Sequence, residues 1–130
     1  MNTNMVKVII IAFLAVVSMS FLLQTDDSAV VKALKSGNAD EVSNYFDKIL
    51  DIKFPDKDEV KNIGKNQAGI ALKSFFEENK ITGFKLLSQG ELNGTISIAG
   101  KLLNSTNGYN ITMMLQMKDG KHQIITVRVN

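Results

Sequence analysis

The chain has 130 residues, 45% hydrophobic and 22% charged, with 15 basic residues against 13 acidic ones, one proline and no cysteine. This composition fits one globular domain rather than a disordered polymer, and the near balance of charge removes the main driving force for nucleic-acid binding. The lack of cysteine excludes disulfides, thiolate catalysis, thiolate zinc centres and a lipid on a mature N-terminal cysteine, so the core alone must hold the fold.

Residues 1 to 7 carry Lys7 as their one charge, and Val8 to Leu23 then run VIIIAFLAVVSMSFLL with none. A membrane-spanning helix needs roughly 20 apolar residues, so this shorter stretch is the length of a signal-peptide core. Ser18 and Ser20 have the small-x-small spacing that signal peptidase accepts. The expected organisation is a signal peptide at 1–20, a short linker at 21–27 and a domain at 28–130, exported to the periplasm or secreted. The alternative is an uncleaved N-terminal anchor, the one case in which a membrane would be a partner.

Asp26, Asp27 and Ser28 supply helix-capping chemistry ahead of Val30, Val31 and Leu34, which share one helical face that Gly37 can close. Asn38 then caps ADEVSNYF, with Asp40 and Glu41 in the first turn and Val42, Tyr45 and Phe46 as a buried stripe. In ILDIKF, residues 49 to 54, Leu50, Ile52 and Phe54 alternate with Ile49, Asp51 and Lys53, a half-buried strand ended by Pro55. A polar stretch follows, with a short strand around Val60 to Ile63. From Asn66 to about Asn79 the apolar residues Ala68, Ala71, Leu72, Phe75 and Phe76 keep helical spacing, although Gly69 costs this helix roughly 1 kcal/mol.

Beyond Ile81 the pattern predicts antiparallel strands at 82–91, 94–103, 109–118 and 121–129, joined at Asn93-Gly94, NSTNG (104–108) and Asp119-Gly120. Helices first and a four-stranded meander last is an α+β order. The last hairpin has two registers. A two-residue turn at Asp119-Gly120 sets Met117 opposite His122 and mixes His122, Thr126 and Arg128 into the apolar row of Tyr109, Ile111, Met113, Leu115 and Met117. A three-residue loop with a bulge at Gly120 puts Ile125, Val127 and Val129 into that row instead, and is preferred because it segregates the two faces. Met114 and Ile124 are then left on the outer face as a small apolar contact patch, a candidate site for a homodimer.

The stretches KSGNADEVSNYFDKILDI, LKSFFEEN and FKLLSQGELNGTISIAGKLLNSTNGYNITMMLQMKDGKHQIITVRV resemble the small exported domain-of-unknown-function proteins of Bacteroidota, whose fold is nuclear transport factor 2-like, or cystatin-like. The likeness spans residues 28–129. It is most specific at Lys35-Ser36-Gly37-Asn38, Tyr45-Phe46-Asp47, Phe75-Phe76 and the spacing of Asn107-Gly108-Tyr109 to Asp119-Gly120-Lys121. The resemblance implies a cone, with N-terminal helices packed in the concave face of a bent antiparallel sheet, and no established activity. The wider superfamily includes ketosteroid isomerase-like and dehydratase enzymes that place a carboxylate or His base inside the cone, often with a Tyr donor. The positions inferred to face inward here are almost wholly Leu, Ile, Met, Phe and Val, which departs from that pattern.

The residues themselves offer no catalytic or metal-binding constellation and imply no cofactor. His122 is the single histidine and, next to a tight turn, reads as an exposed strand residue. Asp47 and Asp51 straddle a helix-to-strand boundary, so their spacing does not place them on one surface; Asp51 shares a side with Lys53. Tyr45 and Tyr109 combine an apolar ring with a hydroxyl that seeks a partner. With Phe46, Phe54, Phe76 and Met113 they form the candidate lining of a pocket. Asp27-Ser28-Ala29 resembles the short Bacteroidota O-glycosylation motif and makes Ser28 a candidate acceptor, while Asn93, Asn104 and Asn110 begin Asn-x-Ser/Thr triplets. The expected function is an exported, non-enzymatic binding or interaction domain of unknown ligand and partner. The alternative is a small-molecule enzyme or carrier using the cone interior.

Overall fold

The computed structural model describes residues 25–130, so the predicted signal segment and the first part of the linker lie outside the described residues. Helix α1 (Thr25–Lys35) begins before its expected cap, and Asp26, Asp27 and Ser28 fall inside its first turns. Val30, Val31, Ala33 and Leu34 are buried. Gly37, at φ +69°, ends the helix, its N–H donating to the Leu34 carbonyl at 3.1 Å.

Asn38 caps α2 (Ala39–Ser43) as expected, its Oδ1 accepting from the N–H groups of Asp40 (3.0 Å) and Glu41 (3.4 Å). The helix is shorter than its apolar stripe predicts. Phe46 instead opens strand β1 (Phe46–Lys53), and Ile124 N–H donates to the Tyr45 carbonyl at 2.7 Å. Hydrogen bonding to a distant strand takes the place of one more helical turn. Leu50 and Ile52 are buried and Ile49 is exposed, the alternation expected of a strand covered on one face. Strand β2 (Val60–Gly64) pairs with β1 through an irregularity at which Asn62 has φ +56° and its N–H donates to Asp51 Oδ1 at 2.9 Å.

Helix α3 (Lys65–Glu78) buries Ala68, Leu72 and Phe76. Its glycine has a use that the sequence did not reveal: a Cβ at Gly69 would lie 3.1 Å from Ser43 Oγ, so the missing side chain lets α2 approach. The helix closes with Ile81 N–H donating to the Phe76 carbonyl and Lys80 N–H to Glu77, while Lys80 itself takes φ +52°. This is a Schellman ending, with buried Ile81 and Phe76 as its apolar pair.

Strands β3 (Gly83–Leu92), β4 (Thr95–Leu103), β5 (Tyr109–Lys118) and β6 (Lys121–Val129) form the expected meander. Among the described residues the sheet has six strands in the order β2-β1-β6-β5-β4-β3, because β1 inserts parallel to β6 and carries β2 with it. Register shifts occur at Leu87 in β3, near Asn62 in β2, at Ile125 in β6 and within β1. Extra residues of this kind bend a strand and raise its twist.

The final hairpin corrects the preferred register. Asp119 (φ +51°) and Gly120 (φ +76°) make a two-residue turn that pairs Lys118 with Lys121 and Met117 with His122. Positive φ at both central positions is the type I′ geometry that suits strand twist. The expected one-residue slip is made further along, at Ile125, between the pairs Leu115–Ile124 and Met114–Thr126. Past it Met113 faces Val127 and Ile111 faces Val129, so the faces do segregate. Ile124 therefore belongs to the core, with no exposed surface, and not to the outer contact patch.

The inner face of the sheet and the buried stripes of the helices make one core. Each fully buried large aliphatic side chain contributes about 1.5–3 kcal/mol relative to exposure. At Gly100 on β4, an added Cβ would overlap the Lys85 carbonyl oxygen and the Phe84 ring, so the ring of β3 lies across the glycine.

Candidate functional site

The concave interior is filled. Leu72, Leu102, Met113 and Leu115 have no exposed surface, and Phe46 and Phe76 are 2% and 4% exposed. Phe46, Phe76 and Met113 are thus core residues, and of the three Phe76 also borders an open cleft of about 410 Å³ beside Asn38, Lys73 and Ile81. Phe54 and Tyr109 are brought together through a residue absent from that expected set. Phe75 stacks on Phe54 with ring centres 5.2 Å apart and meets Tyr109 edge-on at 5.0 Å. The Tyr109 hydroxyl donates to Asn79 Oδ1 at 2.8 Å, so it is already engaged. Asn104 completes this end: its Nδ2 donates to the Asn79 carbonyl, and its Oδ1 accepts from Thr106 N–H, Thr106 Oγ1 and Gly108 N–H. The side-chain oxygen of this triplet asparagine shapes the β4–β5 loop, and its nitrogen ties that loop to the end of α3.

Tyr45 sits at the other end of β1. There, α1, the α2–β1 junction and the start of β6 surround a cleft of about 300 Å³ lined by Val30, Asn44, Tyr45, Lys121, His122 and Gln123, among others. The two-residue turn places His122 on the inner side, opposite Met117, and half buries it, which corrects its reading as an exposed residue. Its Nδ1 is buried and has no hydrogen-bond partner among the described residues. An unmade hydrogen bond at a buried polar atom costs about 1–3 kcal/mol. The sequence could not show this, because His122 changes face with a one-residue change of register.

Asp47 is the one buried polar or charged residue among the described residues, at 7% exposure. Its Oδ2 accepts from Lys118 Nζ, and its Oδ1 accepts from Lys48 N–H at 2.8 Å. The bonded Lys118 ammonium holds the carboxyl below its ordinary range, outweighing burial, which pushes the other way. A carboxylate kept ionised in this way is an anchor between strands and is poorly suited to general acid-base work. Among the described residues no group of three His, Asp or Glu side chains is placed to hold a metal ion.

On the outer face Met114 is 37% exposed. With Gly90, Leu92, Thr95 and Ser97 it lines an open hollow of about 540 Å³. Its cross-strand neighbours are Ser97 and Thr126, and Ala99 pairs with Thr112 one step along. Ser28 lies in α1, and its side chain is outside the described residues.

Helices packed against one side of a single bent, six-stranded sheet define a nuclear transport factor 2-like domain. A protein of unknown function with this fold from Cytophaga hutchinsonii aligns at a TM-score of 0.53 and 11% identity, covering 78% of this chain and 82% of that one. The likeness extends to a family: the model described as domain of unknown function (DUF4783) matches residues 28–130, and the chain belongs to that family. A DUF4783 protein from Bacteroides ovatus aligns at a TM-score of 0.71 and 25% identity, covering 78% of this chain and 90% of its own. A relative from Bacteroides uniformis gives 0.72 and 21%, covering 79% and 94%. None of the curated proteins matches the chain.

Proposed function

We propose that the chain is exported and that its domain acts, in the periplasm or outside the cell, as a non-enzymatic binding or interaction module that pairs with a second copy through the outer face of the sheet. The observation that carries this reading is the filled cone. A carrier or enzyme using the interior would have to displace Leu72, Met113 and Leu115, which have no exposed surface at all. Binding is then left to the surface. The outer face around Met114 supports self-pairing because its strand neighbours Ser97, Ala99, Thr112 and Thr126 are small and uncharged, with Glu91 the one charge lining the same hollow among the described residues. Weakly charged patches with an apolar centre suit the self-complementary contact of a two-fold dimer.

Light scattering of the purified protein at tens of micromolar tests the pairing: a dimer mass is expected, and Met114→Lys should return the monomer with an unchanged melting temperature. A monomeric wild type at that concentration rejects the pairing. N-terminal sequencing of the protein recovered from its host tests export, with a new terminus after Ser20 expected. An intact Met1 would replace cleavage with tethering.

A further inference from the structure

Glycine follows asparagine at two places in the chain, Asn93-Gly94 and Asn107-Gly108. In such a pair the glycine nitrogen has no side chain beside it and can attack the asparagine Cγ. A succinimide ring closes as the new C–N bond forms, and the amide nitrogen leaves as ammonia, carrying the proton that the glycine nitrogen gives up. Water then adds across one of the two ring C–N bonds, giving aspartate when the bond at Cγ breaks and isoaspartate when the backbone bond breaks. As sequence the two sites are equivalent; the fold separates them.

Asn107-Gly108 is held in place. Gly108 N–H donates to Asn104 Oδ1 at 3.0 Å, and the Leu102 carbonyl lies so close that a Cβ on Gly108 would overlap it. The attacking nitrogen is therefore engaged and its peptide fixed, since Asn104 is itself tied to the end of α3. At Asn93-Gly94 neither restraint exists. Among the described residues no hydrogen bond holds Gly94 N–H, and nothing beyond its chain neighbours lies within 4 Å of a Cβ placed on Gly94. Asn93 (φ +53°) and Gly94 (φ +80°) form a tight turn that must open before the nitrogen reaches Cγ. Every residue from Leu87 to Gly94 is exposed, and a hairpin end so uncovered opens at low cost. We infer that Asn93 is a self-modification site of the folded protein, converted to aspartate and isoaspartate while Asn107 is protected. The new carboxylate joins Glu91 at the hollow beside Met114, and isoaspartate adds a methylene to a turn whose length sets the strand register.

The purified protein is held in mildly alkaline buffer, folded and in denaturing urea, and peptide masses at both asparagines are followed with time. In the folded protein Asn93 is expected to convert roughly tenfold faster than Asn107, the factor set by one protecting hydrogen bond, and in urea the two rates should converge. Asn104→Ala removes the acceptor of Gly108 N–H and should bring Asn107 up toward Asn93. Asn104→Asp keeps an acceptor oxygen and should not. Equal rates in the folded protein, an Asn93 that converts only in urea, or a preference that urea leaves unchanged overturns the proposal. An Asn107 rate that Asn104→Ala does not raise overturns it as well.

Discussion

Lys118, at the end of β5, reaches past β6 to the carboxylate of Asp47 on β1, 71 residues away in the chain. The two partners are unequal: the side chain of Asp47, taken alone, is 10% exposed and that of Lys118 45%. Removing the lysine therefore strands a desolvated charge, whereas removing the carboxylate's charge leaves an ammonium that water can reach. Lys118→Met is expected to cost about 1–3 kcal/mol at neutral pH and Asp47→Asn less, about 1 kcal/mol. Because the folded carboxyl titrates below its ordinary range, the unfolded chain takes up its proton first as the solution is acidified. The pair's contribution is complete above about pH 5 and drains away as pH falls through the lowered folded value. Urea titrations across this range should show wild type and Asp47→Asn converging at the acid end. A gap between them that is constant with pH would contradict this assignment.

Lys80 occupies the left-handed position that ends α3, with φ +52°. A side chain there costs about 1–2 kcal/mol, and glycine escapes it at some expense in unfolded-state entropy. Lys80→Gly is expected to stabilise the protein by about 0.5–1 kcal/mol, read as a higher urea midpoint with the same slope. A lower midpoint would mean that the lysine does more than end a helix.

Gly100 is the reverse case, a glycine that no side chain can replace. A Cβ would strike the Lys85 carbonyl and the Phe84 ring, and the backbone atom belongs to a paired strand that cannot retreat cheaply. Gly100→Ala is expected to destabilise by about 1–3 kcal/mol, as overpacked cores do. Combining it with Phe84→Leu should recover only the part due to the ring, since the carbonyl remains. Full recovery would place the whole clash in the side chain.

The elements that rest on local chemistry were legible in the sequence, and those that rest on distant partners were not. Helix α3 and strands β3 to β6 follow from apolar spacing and from Asn93-Gly94 and Asp119-Gly120, because neighbouring residues decide them. The start of β1 was misplaced, since Val42, Tyr45 and Phe46 satisfy a helical stripe and the bond from Ile124 to Tyr45 comes from the far end of the chain. The same distance hid the parallel placement of β1 beside β6 and the burial of Asp47. The slip in the last hairpin was legible as a need, one extra residue to sort the faces, but not as a place. Its location at Ile125 turns His122 inward and Ile124 into the core, and so changes the candidate site.

The filled interior gives the last expectation. Met113 has no exposed surface, lies on the inner row of β5 and faces Val127. Met113→Ala should cost about 2–5 kcal/mol through the cavity it leaves, the amount depending on how far the surroundings relax. An apolar cavity of that kind stays dry and accepts a small apolar guest. Benzene should therefore raise the melting temperature of Met113→Ala and leave wild type unmoved. A comparable rise in wild type would mean that the cone already holds ligand-accessible space, and binding would then return from the surface to the interior.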